Sequence, residues 1–75
     1  MTELLRYIAS SLVDYPDQIE IREIHGNDTV ILELHVNPND MGKVIGKQGR
    51  IAKSIRSVIK AATVRQPLPV FVEIV

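Results

Sequence analysis

Cysteine and tryptophan are absent from these 75 residues, and the aromatic side chains amount to one phenylalanine and two tyrosines. Without thiols there is neither a disulfide framework nor a thiolate metal site, so stability has to come from packing. No apolar run approaches the ~20 residues that a membrane-crossing helix needs, and no charged-then-apolar leader opens the sequence. The expectation is a soluble, cytoplasmic protein. Net charge is lacking too, because nine Lys plus Arg offset nine Asp plus Glu. Taken alone, that neutrality argues against a polyanionic partner. What is present, 45% hydrophobic and 24% charged residues, suits a folded chain and not a disordered tail. A chain this short buries only roughly 60% of the surface its unfolded form exposes. One small domain, residues 1–75, is expected.

Counted by segment, the charge is far from even. Residues 1–40 carry two basic and eight acidic side chains, whereas residues 41–65 carry seven basic and no acidic ones. Such a chain is an electrostatic dipole, and a polyanion would meet the local field of its basic half.

Apolar spacing predicts six elements. Leu5, Ile8 and Leu12, flanked by Leu4 and Val13, form one face of a helix over residues 2–13, with Thr2 as its cap and Pro16 ending it. Alternation at residues 19–22 and 29–36 predicts two strands joined by Gly26-Asn27-Asp28, residues that tolerate positive φ. Asp40 is placed to cap a short helix over residues 41–45. A longer helix, residues 49–63, sets Ile51, Ala52, Ile55, Val58, Ile59 and Ala62 against a basic face of Lys53, Arg56 and Lys60. Pro67 and Pro69 break it, and Val70, Val72 and Ile74 alternate as a last strand. No repeat or linker divides the chain.

Between the two middle helices lies Val44-Ile45-Gly46-Lys47-Gln48-Gly49-Arg50-Ile51. Glycine inside a helix is worse than alanine by ~1 kcal/mol, so two of them three residues apart want a reason. They leave a tight corner bare enough for another backbone to approach to hydrogen-bonding distance. The corner ends at a helix N-terminus, whose free N–H groups favour an anion, and Lys43, Lys47, Arg50 and Lys53 surround it. A phosphate suits that setting. A plain helical corner would account for the glycines but not for the uninterrupted basic residues.

These residues resemble a KH domain. The G-x-x-G loop at residues 46–49, and the order α-β-β-α-α-β over the whole chain, look like its type II, bacterial arrangement: an α+β fold with three helices on one face of a three-stranded mixed sheet. Residues 39–50, with Ala52-Lys53 and Ile55-Arg56, are similar to the small stand-alone bacterial KH proteins of the KhpA type. Ala52 departs from the pattern, which has a bulky aliphatic residue three positions after the second glycine; Ile51 and Ile55 are left to fill that space.

The resemblance implies binding of single-stranded RNA, with the loop clamping the backbone of about four nucleotides. Carried onto this sequence, Gly46 and Gly49 permit close approach, Lys47 and Gln48 reach phosphates, and Lys43, Arg50, Lys53 and Arg56 extend the contact. Ile45 would be the buried end of its short helix. The scarcity of aromatics fits this module better than one built on base-stacking platforms. The resemblance further implies an RNA chaperone or post-transcriptional regulator linked to cell elongation and division. Its partners would be a second copy of the chain and a larger, multidomain KH protein of the Jag type (KhpB).

No enzyme, cofactor, metal or small-molecule substrate is expected. His25 and His35 lack ligand-like spacing. Gly42 and Gly46 enclose three residues where a Walker loop needs four, and Gln48 stands where Ser or Thr would hold magnesium. Tyr7 and Tyr15 read as helix-packing and turn residues. The other reading kept is a protein-interaction subunit or ribosome-associated assembly factor with weak or no direct affinity for RNA.

Overall fold

The computed structural model describes residues 1–75 and contains the six elements in the expected order. They are α1 (Thr2–Ser10), β1 (Glu20–His25), β2 (Val30–His35), α2 (Met41–Ile45), α3 (Arg50–Ala62) and β3 (Val70–Ile74), with single 3-10 turns at Pro16–Gln18, Pro38–Asp40 and Lys47–Gly49. The sheet order is β1-β2-β3. β1 runs antiparallel to β2 as a hairpin, and β3 runs parallel to β2, a connection that requires a crossover, supplied by α2 and α3. The sheet is therefore mixed, with the helices on one face.

Alternation along β2 decides which face that is. Val30, Leu32 and Leu34 are buried, and the register sets Val70 and Val72 of β3 beside the first two. Onto them pack Leu5 and Ala9 of α1, Val44 of α2, and Ile55 and Ile59 of α3. Leu5, Leu32, Leu34, Val44 and Ile59 are completely buried, each large aliphatic side chain contributing roughly 1.5–3 kcal/mol. Ala52 is buried as well: a small side chain suffices there because Ile55, one turn on, fills the core. The outer face of the sheet stays open, and Ile24, Ile31 and Phe71 form a row across it.

Local expectations differ from the structure in several places. Thr2 lies inside α1, with Met1 at the cap position, and α1 ends at Ser10 instead of continuing to residue 13. The hydroxyls of Ser10 and Ser11 both donate to the Tyr7 carbonyl, an alternative partner that competes with helix propagation. The hairpin turn closes through the Gly26 N–H and Thr29 carbonyl, 2.8 Å apart, without positive φ at Gly26, Asn27 or Asp28. On α3 the core line is Ala52, Ile55, Ile59 and Thr63, which leaves Val58 and Ala62 exposed. Thr63 belongs there because its hydroxyl donates to the Ile59 carbonyl at 2.7 Å.

The largest departure is Asp40. It stands at the N-cap position of α2, yet its side chain caps nothing in that helix. The carboxylate is completely buried and turns toward the segment after α1, accepting the N–H of Asp14 (3.1 Å) and of Tyr15 (3.0 Å). It thereby stitches the start of α2 to the connection between α1 and β1. Replacing Asp40 by Ala leaves both donors without a partner, so Asp40→Ala is expected to lose roughly 2–4 kcal/mol of a total on the order of 4–11 kcal/mol for this length. Urea unfolding followed by circular dichroism measures it.

Candidate nucleic-acid interface

The corner between α2 and α3 is built from three left-handed residues in four. Gly46 has φ 75° and ψ 174°, Gln48 has φ 58° and ψ 23°, and Gly49 has φ 74° and ψ 15°. The two glycines serve different needs. Gly46 occupies a region of backbone space essentially confined to glycine, and a Cβ there would sit 2.6 Å from the Ile51 side chain. Gly49 needs only its positive φ, because a Cβ there would meet no atom within 4 Å. The ground above Gly49 is open, which is what close approach by another backbone requires. Gln48 adopts the left-handed conformation without being glycine or asparagine, a modest strain of about 1–2 kcal/mol, and the Arg50 guanidinium donates to its side-chain oxygen at 3.3 Å.

Around this corner the cations divide into two groups. Lys47, Arg50, Lys53, Arg56 and Lys60 are exposed and form no ion pair. Lys53, Arg56 and Lys60 follow the loop along one face of α3, and Arg56 donates from Nε to the Val72 carbonyl at 3.2 Å on the free edge of β3. With Lys60, Val70, Phe71, Val72 and Glu73, Arg56 lines a groove of about 410 Å³ between α3 and that edge. Lys43 is different. Its ammonium is hydrogen-bonded to the Asp14 carboxylate and lies 3.6 Å from Oδ1 of Asp40. The hydrogen bond that Lys43 donates to Asp14, with attraction to both carboxylates, holds the Lys43 pKa above the ordinary lysine value. A raised lysine pKa means that Lys43 carries its charge throughout neutral pH, and its contribution fades as pH climbs past the lysine range.

The structure thus brings Gly46, Lys47, Gln48, Gly49, Arg50, Lys53 and Arg56 onto one continuous surface, and ties Lys43 into a separate cluster beside it. Ile45 is not the buried end of α2, being 38% exposed. Val44 is the inward residue, and the next position, about 100° round the helix, faces solvent beside the loop. Tyr7 does not pack into the core either: it is 72% exposed, at the lip of an apolar groove of about 440 Å³ between α1 and α3 formed with Leu4, Ile8, Ile51, Ile55 and Val58. Nothing in the spacing of α1 signals this groove, because an apolar stripe reads the same whether it is covered or open. His25 and His35 each sit within 3.5 Å of a glutamate of their own strand.

Helices on one face of a mixed three-stranded sheet, with a G-x-x-G corner joining the two that cross from β2 to β3, define a type II KH domain. Comparison with known proteins narrows the class. The model of the family described as "KhpA/KhpB, KH domain" matches residues 2–74. Curated proteins named "RNA-binding protein KhpA" are 60% identical in Clostridium acetobutylicum and 56% in Caldanaerobacter subterraneus, each over the full length of both chains. The protein of that name in Chlamydia trachomatis is 42% identical over 99% of this chain and 95% of its own. The chain belongs to the KhpA/KhpB KH-domain family, a family of RNA-binding proteins and not of enzymes. The fold is also similar to part of Aquifex aeolicus Era, with TM-score 0.65 and 23% identity over 96% of this chain but only 28% of that one. A second Era structure, in complex with a fragment of 16S ribosomal RNA, gives the same TM-score.

The unlike roles of the two glycines predict unlike costs. Gly46→Ala combines forbidden backbone with collision against Ile51 and is expected to lose roughly 2–5 kcal/mol, whereas Gly49→Ala carries only the left-handed penalty of about 1–2 kcal/mol. Thermal unfolding of the two variants side by side measures the difference.

Proposed function

We propose that this chain is a cytoplasmic single-stranded RNA-binding protein that grips the RNA backbone at the Gly46–Gly49 corner. The observation that carries this reading is an open, left-handed loop beside which Lys47, Arg50, Lys53 and Arg56 stand free of any ion pair. Lys47 and Gln48 project from the corner, and Arg50 stands at the N-terminus of α3, so phosphates meet both side-chain charge and free helix N–H groups. Lys53 and Arg56 carry the path along α3 toward β3, where the groove beside Phe71 and Val72 offers aliphatic surface and edge backbone to unstacked bases. Exposed Ile45 adds an apolar contact at the loop. Lys43 joins only by leaving its carboxylates. A role as RNA chaperone or post-transcriptional regulator linked to cell elongation and division goes with this reading and rests on the family resemblance.

A footprint of about four nucleotides neutralising two or three phosphates gives weak binding, with log K falling by roughly 0.7 per phosphate against log salt. A second copy supplies avidity. The α1–α3 groove supports such pairing, because the exposed Tyr7 and Val58 and the apolar floor between them leave a surface that a second copy would cover. The KH domain of a KhpB-type partner fits the same requirement, since one family model spans both.

Two experiments test these statements. Lys47→Asp combined with Gln48→Asp keeps the fold, because aspartate tolerates the left-handed backbone at residue 48, and is expected to lower affinity for short single-stranded RNA at least tenfold by filter binding; equal binding by the folded double variant disproves the grip at this corner. Val58→Glu is expected to shift a dimer toward the 8.4 kDa monomer in sedimentation velocity, while a native chain that is monomeric at high concentration disproves pairing through this groove.

A further inference from the structure

Lys43 stands three residues before Gly46 on the helix that delivers the loop, about 4.5 Å along its axis, yet it is the one cation of the basic segment that is paired with carboxylates. Its two partners are unlike. Asp40 is completely buried and held in place by the N–H groups of Asp14 and Tyr15, with the Lys43 ammonium 3.6 Å away as its counter-charge. Asp14 has a side chain 68% exposed and pairs with a Lys43 side chain 43% exposed. An ion pair in that setting is screened by water and salt and contributes little to folding. It is therefore exchangeable. The backbone of Asp14 is held by Asp40, so its carboxylate remains as a fixed negative charge at this end of the basic surface even when the ammonium departs.

We propose that Asp14 competes with an RNA phosphate for Lys43: the free protein keeps Lys43 masked, and RNA gains its charge only by displacing the Asp14 carboxylate. This builds on the RNA-binding reading above and deepens it, since it makes Asp14 a residue that holds affinity down and limits the footprint to the loop and α3. Most substitutions near a binding site weaken binding, whereas this one is expected to strengthen it. Asp14→Asn keeps the N–H that Asp40 accepts, so the fold is retained.

The test is fluorescence anisotropy with a labelled eight-nucleotide single-stranded RNA across a salt series. Asp14→Asn is expected to bind about three- to tenfold tighter, with the slope of log K against log salt steeper by roughly 0.7, one further phosphate neutralised. Asp17→Asn, which removes the same formal charge from an exposed residue without an ion pair, controls for general electrostatics and is expected to change affinity less than twofold. In a Lys43→Gln background the Asp14→Asn gain is expected to shrink to that of the control. The proposal is overturned if Asp14→Asn binds no tighter than Asp17→Asn, or if its gain survives without Lys43. Should Asp14→Asn fail to fold, the Lys43 ammonium resonance of the native protein decides: it shifts on RNA addition if the pair is exchanged, and stays put if it is not. A native chain that binds no RNA removes both readings, whereas native binding with no Asp14 effect removes this one alone.

Discussion

The buried carboxylate of Asp40 is the contact through which the two halves of this small domain hold each other. α2 spans five residues, far below the length at which a helix persists by itself in water. Its C-terminal end is fixed by Val44 in the core, and its beginning by Asp40, which takes two successive backbone N–H groups from the segment after α1. A charge with no solvent exposure is costly unless hydrogen bonds and counter-charge satisfy it. Here two amides and the Lys43 ammonium do so. Because the loop begins where α2 ends, the placement of Lys47 and Gln48 follows from how α2 is anchored, and so from a residue outside the loop.

That anchoring explains how an open loop can remain ordered. The Gly46–Gly49 corner holds three left-handed residues, one of them glutamine, and strain of that kind persists only where the surroundings determine it. On one side is the pinned α2. On the other is α3, whose Ala52, Ile55 and Ile59 are locked into the core. Between two fixed helices the corner has few conformations left to lose when a ligand arrives, which is the form preorganisation takes in a chain of 75 residues.

What could be read from residue order alone was whatever depended on periodicity. The alternation of Val30, Leu32 and Leu34, the basic face of Lys53, Arg56 and Lys60 on α3 and the paired glycines each carry a repeat or spacing with one physical meaning, and β2, α3 and the corner stand where those signals put them. Misreadings came from residues with two possible partners. Asp40 before an apolar turn reads as a cap because local geometry favours it, but a partner 25 residues away in sequence took the side chain. Val58 and Ala62 read as core because a stripe does not reveal how wide the covered sector is, whereas the expectation for Ile45 came from the family resemblance and not from spacing. Lys43 reads as one cation among seven, since no local pattern discloses that Asp14, 29 residues upstream, folds back onto it.

The neutrality of the chain takes its meaning from the same contacts. The acidic half is not merely a counterweight spread over the surface, because two of its carboxylates are applied to one lysine, at the boundary where the basic surface starts. Beyond that boundary the charges of the loop and of α3 have no carboxylate partner, so the field is concentrated along one helix and its N-terminus. An extended polyanion lying on this face meets unpaired cations over α3 and a fixed carboxylate at the far end of α2. On the proposed reading, registration comes from where positive charge stops as much as from where it is, and a protein of zero net charge would hold a single strand at one place without attracting nucleic acid generally.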